Sequence, residues 1–433
     1  MAKYLVTKKI DAAELRIGMY VTSLSVPWSA TEFPLEGVLI KSSLDIVKIS
    51  RYGNHVTIDQ NKSHSSKAVT KLALPRAITN TQTNSKNIWR RLCTEKYVVE
   101  KPIAKQLKSA ENLLVRVRDV FEELKKDLLR VELHSIENIK AVSYGIVSSL
   151  LENPNALLWL TKVKIQQGKI YDHTIRCAIW ATLMGRSMGI KQSSLNTMIE
   201  AILLSGIGKA YLPRAVWRKH HPAEMKPEFA ISINITLEKL GHCHVDQRVL
   251  TIVANMNERY DGSGYPSRNL QDGIPYLAQI AGLVETFDLL LHPMLFKKRR
   301  AFGQALSQLY CFRDSLFNAA LVEEFIFATG LYPAGTIVVL SNGCRGVVVE
   351  QTKERRIRAT VAITHDAQDY RLIRYEIAVL GEGKYQEVTI KQEANLHQIN
   401  ADDMNKINQL VSKYQQGVVT NILTSTKQLL SRK

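Results

Sequence analysis

The chain has 433 residues, 45% hydrophobic and 23% charged, which is the balance of a globular fold in two or three domains and excludes a disordered chain. No apolar run approaches the roughly 18 positions of a membrane span, and Met1–Lys9 lacks the apolar core and cleavage pattern of a leader, so a cytoplasmic location is expected. The net charge of +18 favours nucleotides, acidic proteins, nucleic acid or anionic lipid without choosing among them, and the five cysteines lie far apart and form no C-x-x-C pair, so neither a disulfide scaffold nor a cysteine zinc site is suggested.

In chain order, short apolar runs at Gly18-Met19-Tyr20-Val21, Gly37-Val38-Leu39-Ile40 and His55-Val56-Thr57-Ile58-Asp59 alternate with turn residues and predict a β-rich module over 1–62. A Ser-, Thr-, Asn- and Lys-rich stretch over 63–87 predicts a linker. Apolar residues then recur three and four apart, as in Leu113, Val117, Val120, Phe121 and Leu124, so 88–330 is expected to be a helical domain of about ten helices. Strands return at Thr336–Leu340 and Gly346–Glu350 around an Asn342-Gly343 turn, with another from about Arg358 to Ile363, giving a β-rich extension over 331–398. Met404, Ile407, Leu410 and Val411 at helical spacing predict a C-terminal helix over 399–433. The expected class is therefore α+β multidomain, with β-rich ends around a central all-α bundle.

Within the helical region, Asn257-Glu258-Arg259-Tyr260 runs into Asp261-Gly262-Ser263-Gly264-Tyr265-Pro266. Read as local structure alone, two close glycines and a proline make a tight loop after a helix. Other landmarks flank it in order: Tyr171-Asp172-His173-Thr174 and Leu204-Ser205-Gly206-Ile207-Gly208-Lys209 upstream, and Val284-Glu285-Thr286-Phe287-Asp288 downstream. Together these segments, spanning roughly 141–340, resemble the HD-GYP family of the HD superfamily, relatives of the cyclic di-GMP phosphodiesterases. Met19-Tyr20-Val21, Trp28 and Phe33-Pro34 resemble a β module that often precedes such domains.

The resemblance implies an all-α HD bundle holding two or three divalent ions (iron, manganese or zinc) on histidines and carboxylates, which hydrolyse a phosphodiester. Here the positions implied for those ligands are degenerate. Ser205 and Gly206 stand where the family has its His-Asp pair, Ser232 near a further histidine, and Met256 and Asn257 in place of a His-His pair. His173, Glu285 and Asp288 are the remnant metal candidates; an isolated histidine on an apolar helix also reads as a hydrogen-bonded core residue. His220-His221 and His242-Cys243-His244 read as solvent-facing loops.

The expectation from these substitutions is that the chain is not an enzyme and needs no cofactor. It would act by sensing cyclic di-GMP or by contacting a GGDEF-domain protein through the loop at Asp261, Gly262, Ser263, Gly264, Tyr265 and Pro266, and a homodimer is compatible with the sequence. Lys209, Arg259 and the run Lys297-Lys298-Arg299-Arg300 are candidates for phosphate contact, against a reading in which Lys209 and Arg259 pair with Asp261, Glu258 or Asp288. Two alternatives stay open. One is an active metal-dependent phosphodiesterase with an altered ligand set. The other, a basic nucleic-acid-binding protein, rests on charge alone and lacks a recognised binding motif.

Overall fold

A computed structural model describes residues 7–26, 37–40, 43–53, 55–59, 63, 92–126, 133–164, 170–219, 227–293, 300–351, 359–394, 406–411 and 413–414. The expected linker over 63–87 lies outside these residues, apart from Ser63.

At the front, β1 (Thr7–Asp11), β2 (Tyr20–Ser23), β3 (Val38–Leu39) and β4 (His55–Asp59) form an antiparallel sheet in the order β1-β4-β2-β3. Helix α1 (Ser43–Ser50) was not expected from the sequence. Its buried Ile46 and Ile49 close the sheet's inner face, where Ile10, Val21, Val56 and Ile58 alternate with outward polar residues.

The centre is helical among the described residues: α2 (Ile103–Lys126), α3 (Leu133–Glu152), α4 (Pro154–Lys164), α5 (Ile170–Met188), α6 (Gln192–Tyr211), α7 (Arg214–Lys219), α8 (Pro227–Leu240), α9 (Gln247–Asn255), α10 (Tyr276–Leu291), α11 (Phe302–Tyr310) and α12 (Ala319–Thr329). The front module packs onto this bundle through α8, whose Ile231 and Ile235 share a core with Ile46 and Ile49. Helices α6 and α8 approach unusually closely, because a Cβ on Gly208 would fall 1.8 Å from the Ser232 carbonyl oxygen. That contact requires glycine. Once backbones are this near, the Gly208 N–H reaches the Thr236 hydroxyl at 3.0 Å.

After α12 the chain builds an antiparallel sheet in the order β8-β7-β6-β5-β9, from β5 (Ile337–Leu340), β6 (Arg345–Glu350), β7 (Thr360–His365), β8 (Arg371–Val379) and β9 (Ile390–Glu393). The hairpin at Asn342-Gly343 forms as the turn residues predict. The mixed class with β-rich ends around a helical centre is what the periodicity indicated. Residues 406–411 are helical and bury Ile407 and Val411 against the main core. No helix among the described residues is long and apolar enough to cross a membrane. All five cysteines are free.

The deepest part of the bundle is an aromatic knot from four helices. Trp180 lies 5.6 Å from Phe287 and 5.7 Å from Phe302, and Phe287 lies 4.7 Å from Phe325. Phe287 sits between Glu285 and Asp288 on α10, so this packing fixes the helix that carries both carboxylates. Trp180→Ala is expected to destabilise the protein by about 3–5 kcal/mol, read from urea unfolding followed by near-ultraviolet circular dichroism.

Candidate functional site

Three helices bring charged side chains to one buried place. On α5, His173, Arg176 and Cys177 fall three and four residues apart and so share one face. On α10, Glu285 and Asp288 are also three apart, and on α6 Ser205 and Lys209 are four apart. Each of these residues is at least 95% buried, so this is a charged cluster withdrawn from water rather than a surface network.

Asp288 is its anchor. His173 Nδ1 lies 2.7 Å from Asp288 Oδ2, and the Arg176 fork donates from Nε to Oδ1 at 2.8 Å and from Nη2 to Oδ2 at 2.9 Å. On the other side of the imidazole, His173 Nε2 lies 4.0 Å from Glu285 Oε1. Lys209 Nζ donates to that oxygen at 2.9 Å and to Ser205 Oγ at 3.0 Å. Glu285 Oε2 is buried with no hydrogen-bond partner among the described residues.

Burial opposes the charged form of both carboxylates, but Lys209 and His173 at Glu285, and Arg176 and His173 at Asp288, hold each well below the usual carboxylate range. Burial likewise pulls the His173 imidazole down, yet its contacts with Cys177, Asp288 and Glu285 hold it well above the ordinary histidine value. Burial keeps the Cys177 thiol protonated.

Two donor groupings can be tested against a metal. His173, Cys177 and Asp288 offer ligand atoms within 4.8 Å of one another. The Cys177 sulfur, however, is 3.7 Å from His173 Nδ1 and 3.8 Å from Nε2. A sulfur equidistant from both ring nitrogens lies off both lone-pair directions, and Nδ1 is already committed to Asp288. The second grouping is His173 Nε2 with Glu285. Two metal bonds of about 2.1 Å span up to about 4.2 Å, so the 4.0 Å separation is within reach of one ion, and the unpartnered Glu285 Oε2 is a ready acceptor. The carboxylate on the far nitrogen of His173 is the arrangement that orients a histidine ligand. His173 Nε2 and Glu285 offer two donors to one divalent ion, which would need further ligands to complete its shell. They do not supply the imidazoles of a two- or three-ion cluster.

The remaining positions singled out in the sequence are distributed around this centre. Gly206 faces α5, and a Cβ there would lie 3.1 Å from Thr174 Oγ1. Ser232 and Met256 are buried at the α6–α8 and α9–α10 contacts, and the buried Asn257 accepts the Tyr265 N–H on its carbonyl at 3.1 Å. Lys209 does not pair with Asp261, Glu258 or Asp288; it pairs with Glu285. Arg259 is fully buried, donating to the carbonyls of Glu258 at 2.9 Å and Met256 at 3.4 Å and to Thr286 Oγ1 at 3.3 Å, with its guanidinium 5.1 Å from the Phe317 ring. Burial lowers its pKa to about 10. Lys297, Lys298 and Arg299 lie outside the described residues, while Arg300 donates to the Leu290 carbonyl at 2.9 Å. His220 and His221 also lie outside them, whereas His242 and His244 are exposed as expected.

The loop Asp261–Pro266 is held from beneath by Glu258, whose carboxylate accepts the Ser267 N–H at 2.6 Å and the Asn269 N–H at 3.0 Å. Gly264 packs so closely that a Cβ would lie 2.3 Å from the Arg259 nitrogen. Asp261 and Ser263 are exposed and Tyr265 half-buried. Arg176 and Cys177 were missed as members of the cluster, although their spacing from His173 was the available signal.

Residues 161–321 match the HD domain family, and residues 7–132 match DUF3391, a domain of unknown function that reaches through α2, well beyond the β-rich stretch the strand pattern marked. A cyclic di-GMP phosphodiesterase of Pseudomonas aeruginosa is 24% identical over 86% of this chain and 89% of its own length. The cyclic di-GMP phosphodiesterase response regulator RpfG of Xanthomonas campestris is 24% identical over 52% of this chain and 60% of its own. Among solved structures, an HDG"Y"P protein from Bdellovibrio bacteriovorus aligns at 14% identity and a TM-score of 0.40, covering 74% of this chain and 98% of that one.

These relatives overturn the expectation that the chain is not an enzyme, since the similar proteins carry phosphodiesterase names. That expectation rested on the lost ligands, the remaining His173 and Glu285 being read as too few to hold a metal cluster; the structure holds His173 at Nδ1 by Asp288 with Nε2 facing Glu285.

Replacing Asp288 with Asn should cost about 3–5 kcal/mol of unfolding free energy in urea, because Arg176 is left as an uncompensated buried charge. The pH dependence follows from the shifts. The depressed carboxylates stabilise the fold above their unfolded pKa of about 4, and this contribution is lost as pH falls below it. The raised His173 stabilises fully below its unfolded pKa of about 6.5, and its contribution fades as pH rises toward its folded value. Unfolding midpoints across pH should therefore decline on both sides of an interval between about 4 and 6.5, with the alkaline decline flattened in His173→Gln.

Proposed function

Because the chain carries an HD domain behind a DUF3391 module, we propose that it is a metal-dependent phosphodiesterase of cyclic di-GMP signalling with an altered ligand set. The observation that carries this reading is the His173–Asp288 pair, which turns Nε2 toward a Glu285 carboxylate with one oxygen still unpartnered. Support comes from the Pseudomonas aeruginosa relative, which matches along nearly its whole length.

His173 Nε2 and Glu285 would hold the ion, whether manganese, iron or zinc. When bound, such an ion supplies a Lewis acid that polarises a phosphoryl oxygen. Lys209 stands 2.9 Å from Glu285 and offsets negative charge as it builds on phosphate oxygens in a site largely shielded from water. Asp288 fixes the imidazole orientation, and Arg176 keeps Asp288 ionised. The +18 net charge draws an anionic dinucleotide from solution. The exposed side of the Asp261–Pro266 loop, with half-buried Tyr265, suits contact with a GGDEF-domain protein in the same cytoplasmic pathway.

The full-length protein, incubated with cyclic di-GMP and manganese, is expected to release linear dinucleotide or GMP. His173→Ala and Glu285→Gln should abolish this release, and Lys209→Met should slow it by about 10²-fold or more. Intact cyclic di-GMP after incubation with manganese, iron and zinc in turn would overturn the proposal.

A further inference from the structure

A cavity lies away from the HD site, where the helical bundle meets the C-terminal sheet. It measures about 390 Å³, room for a small organic molecule, and is bounded by the stretch before α2, the start of α4, the end of α5, the end of α12 and the end of β6. Its walls are mostly apolar, including Leu158, Leu183 and Phe327, and its rim carries Val98 and Val99, which are 71% and 50% exposed.

One side chain in this wall is out of keeping with the rest. Arg186 is 93% buried by residue area. Its Nε donates to the Leu151 carbonyl at 3.2 Å, while its Nη2 is buried without any partner among the described residues. Arg176 and Lys209, the buried cations of the HD site, each face a carboxylate within 2.9 Å. No carboxylate lies within ion-pair distance of Arg186 among the described residues. A buried guanidinium left so poorly satisfied is costly, and the cost is removed when an anion meets its fork.

Two further polar atoms without partners belong to residues lining the same cavity: Ser187 Oγ and Gln351 Nε2, both able to donate a hydrogen bond. Glu350 lines it too. Burial pushes its carboxyl up, and it makes no ion pair with Arg186 within 4.0 Å among the described residues.

We infer that this cavity binds a small carboxylate with an apolar body, its carboxylate meeting Arg186 and the hydroxyl and amide of Ser187 and Gln351 while its body lies against Leu158, Leu183 and Phe327. A single negative charge suits one guanidinium, and the planar fork matches a carboxylate in two-point contact. The apolar walls exclude an ion with nothing to bury, so free phosphate is a poor occupant. Arg186 follows His173 by thirteen positions on α5, which places the two sites about 20 Å apart along one helix. The inference is independent of whether the HD site turns over a phosphodiester.

The test is calorimetric titration of the full-length chain with benzoate, with benzamide and inorganic phosphate as comparison probes. Benzoate is expected to bind, with both comparison probes at least about tenfold weaker, and Arg186→Gln should weaken benzoate at least about tenfold. Val99→Glu places a negative charge at the exposed rim without altering the guanidinium, and should also weaken benzoate, so the proposal stays testable if Arg186→Gln does not fold. No heat with benzoate at millimolar concentration would overturn it, as would benzoate binding unchanged in Val99→Glu and in folded Arg186→Gln, or benzamide or phosphate binding as tightly as benzoate.

Discussion

The two-point contact between Arg176 and Asp288 is the interaction on which the site depends. Asp288 is wholly buried, and an isolated carboxylate there would take up a proton or drive the helices apart. With the Arg176 fork at 2.8 and 2.9 Å it stays ionised and holds the His173 ring by Nδ1. The direction of Nε2 toward Glu285 follows from that hold. Lys209 then balances Glu285, so the cluster has two carboxylates against two permanent cations before the imidazole is counted.

The fold serves this arrangement by making α5 and α10 rigid partners. Trp180 on α5 and Phe287 on α10 meet edge to face below the charged layer, and Phe302 and Phe325 close the same knot from α11 and α12. Aromatic contacts of this kind fix the rotation of one helix against the other. A rotation of α10 would part Asp288 from Arg176 and with that break the Phe287 ring contacts. The close approach at Gly208 sets α6 in the same way and thereby sets the height of Lys209.

Much of the architecture was legible because it depends on periodicity. The two-residue alternation around Val21, Val56 and Ile58 and the three-to-four spacing of α2 each have a direct physical cause in the side chains' directions. Helix α1 escaped notice since eight residues give too little repeat to separate it from the neighbouring strands. At the site, His173, Lys209, Glu285 and Asp288 were identified through a family resemblance, and the structure brings all four together. Their pairing was not legible: Lys209 meets Glu285 and not Asp288, because Arg176, from the same helical face as His173, already occupies Asp288. Arg259, a candidate through the family resemblance for phosphate contact or for an acidic partner, instead donates to backbone carbonyls and Thr286 inside the loop support. Arg186 gave no signal at all in the sequence, since burial without a counterion is a property of packing.

The proposed function turns on one nitrogen of the His173 imidazole, Nε2, being left for an ion shared with Glu285. Anomalous diffraction at the manganese edge from crystals grown with manganese tests this most directly. A single peak bonded to His173 Nε2 and Glu285 at about 2.0–2.2 Å is expected, with the His173–Asp288 hydrogen bond intact. A peak on Nδ1 and the Cys177 sulfur, or none at this cluster in crystals saturated with the metal, would contradict it.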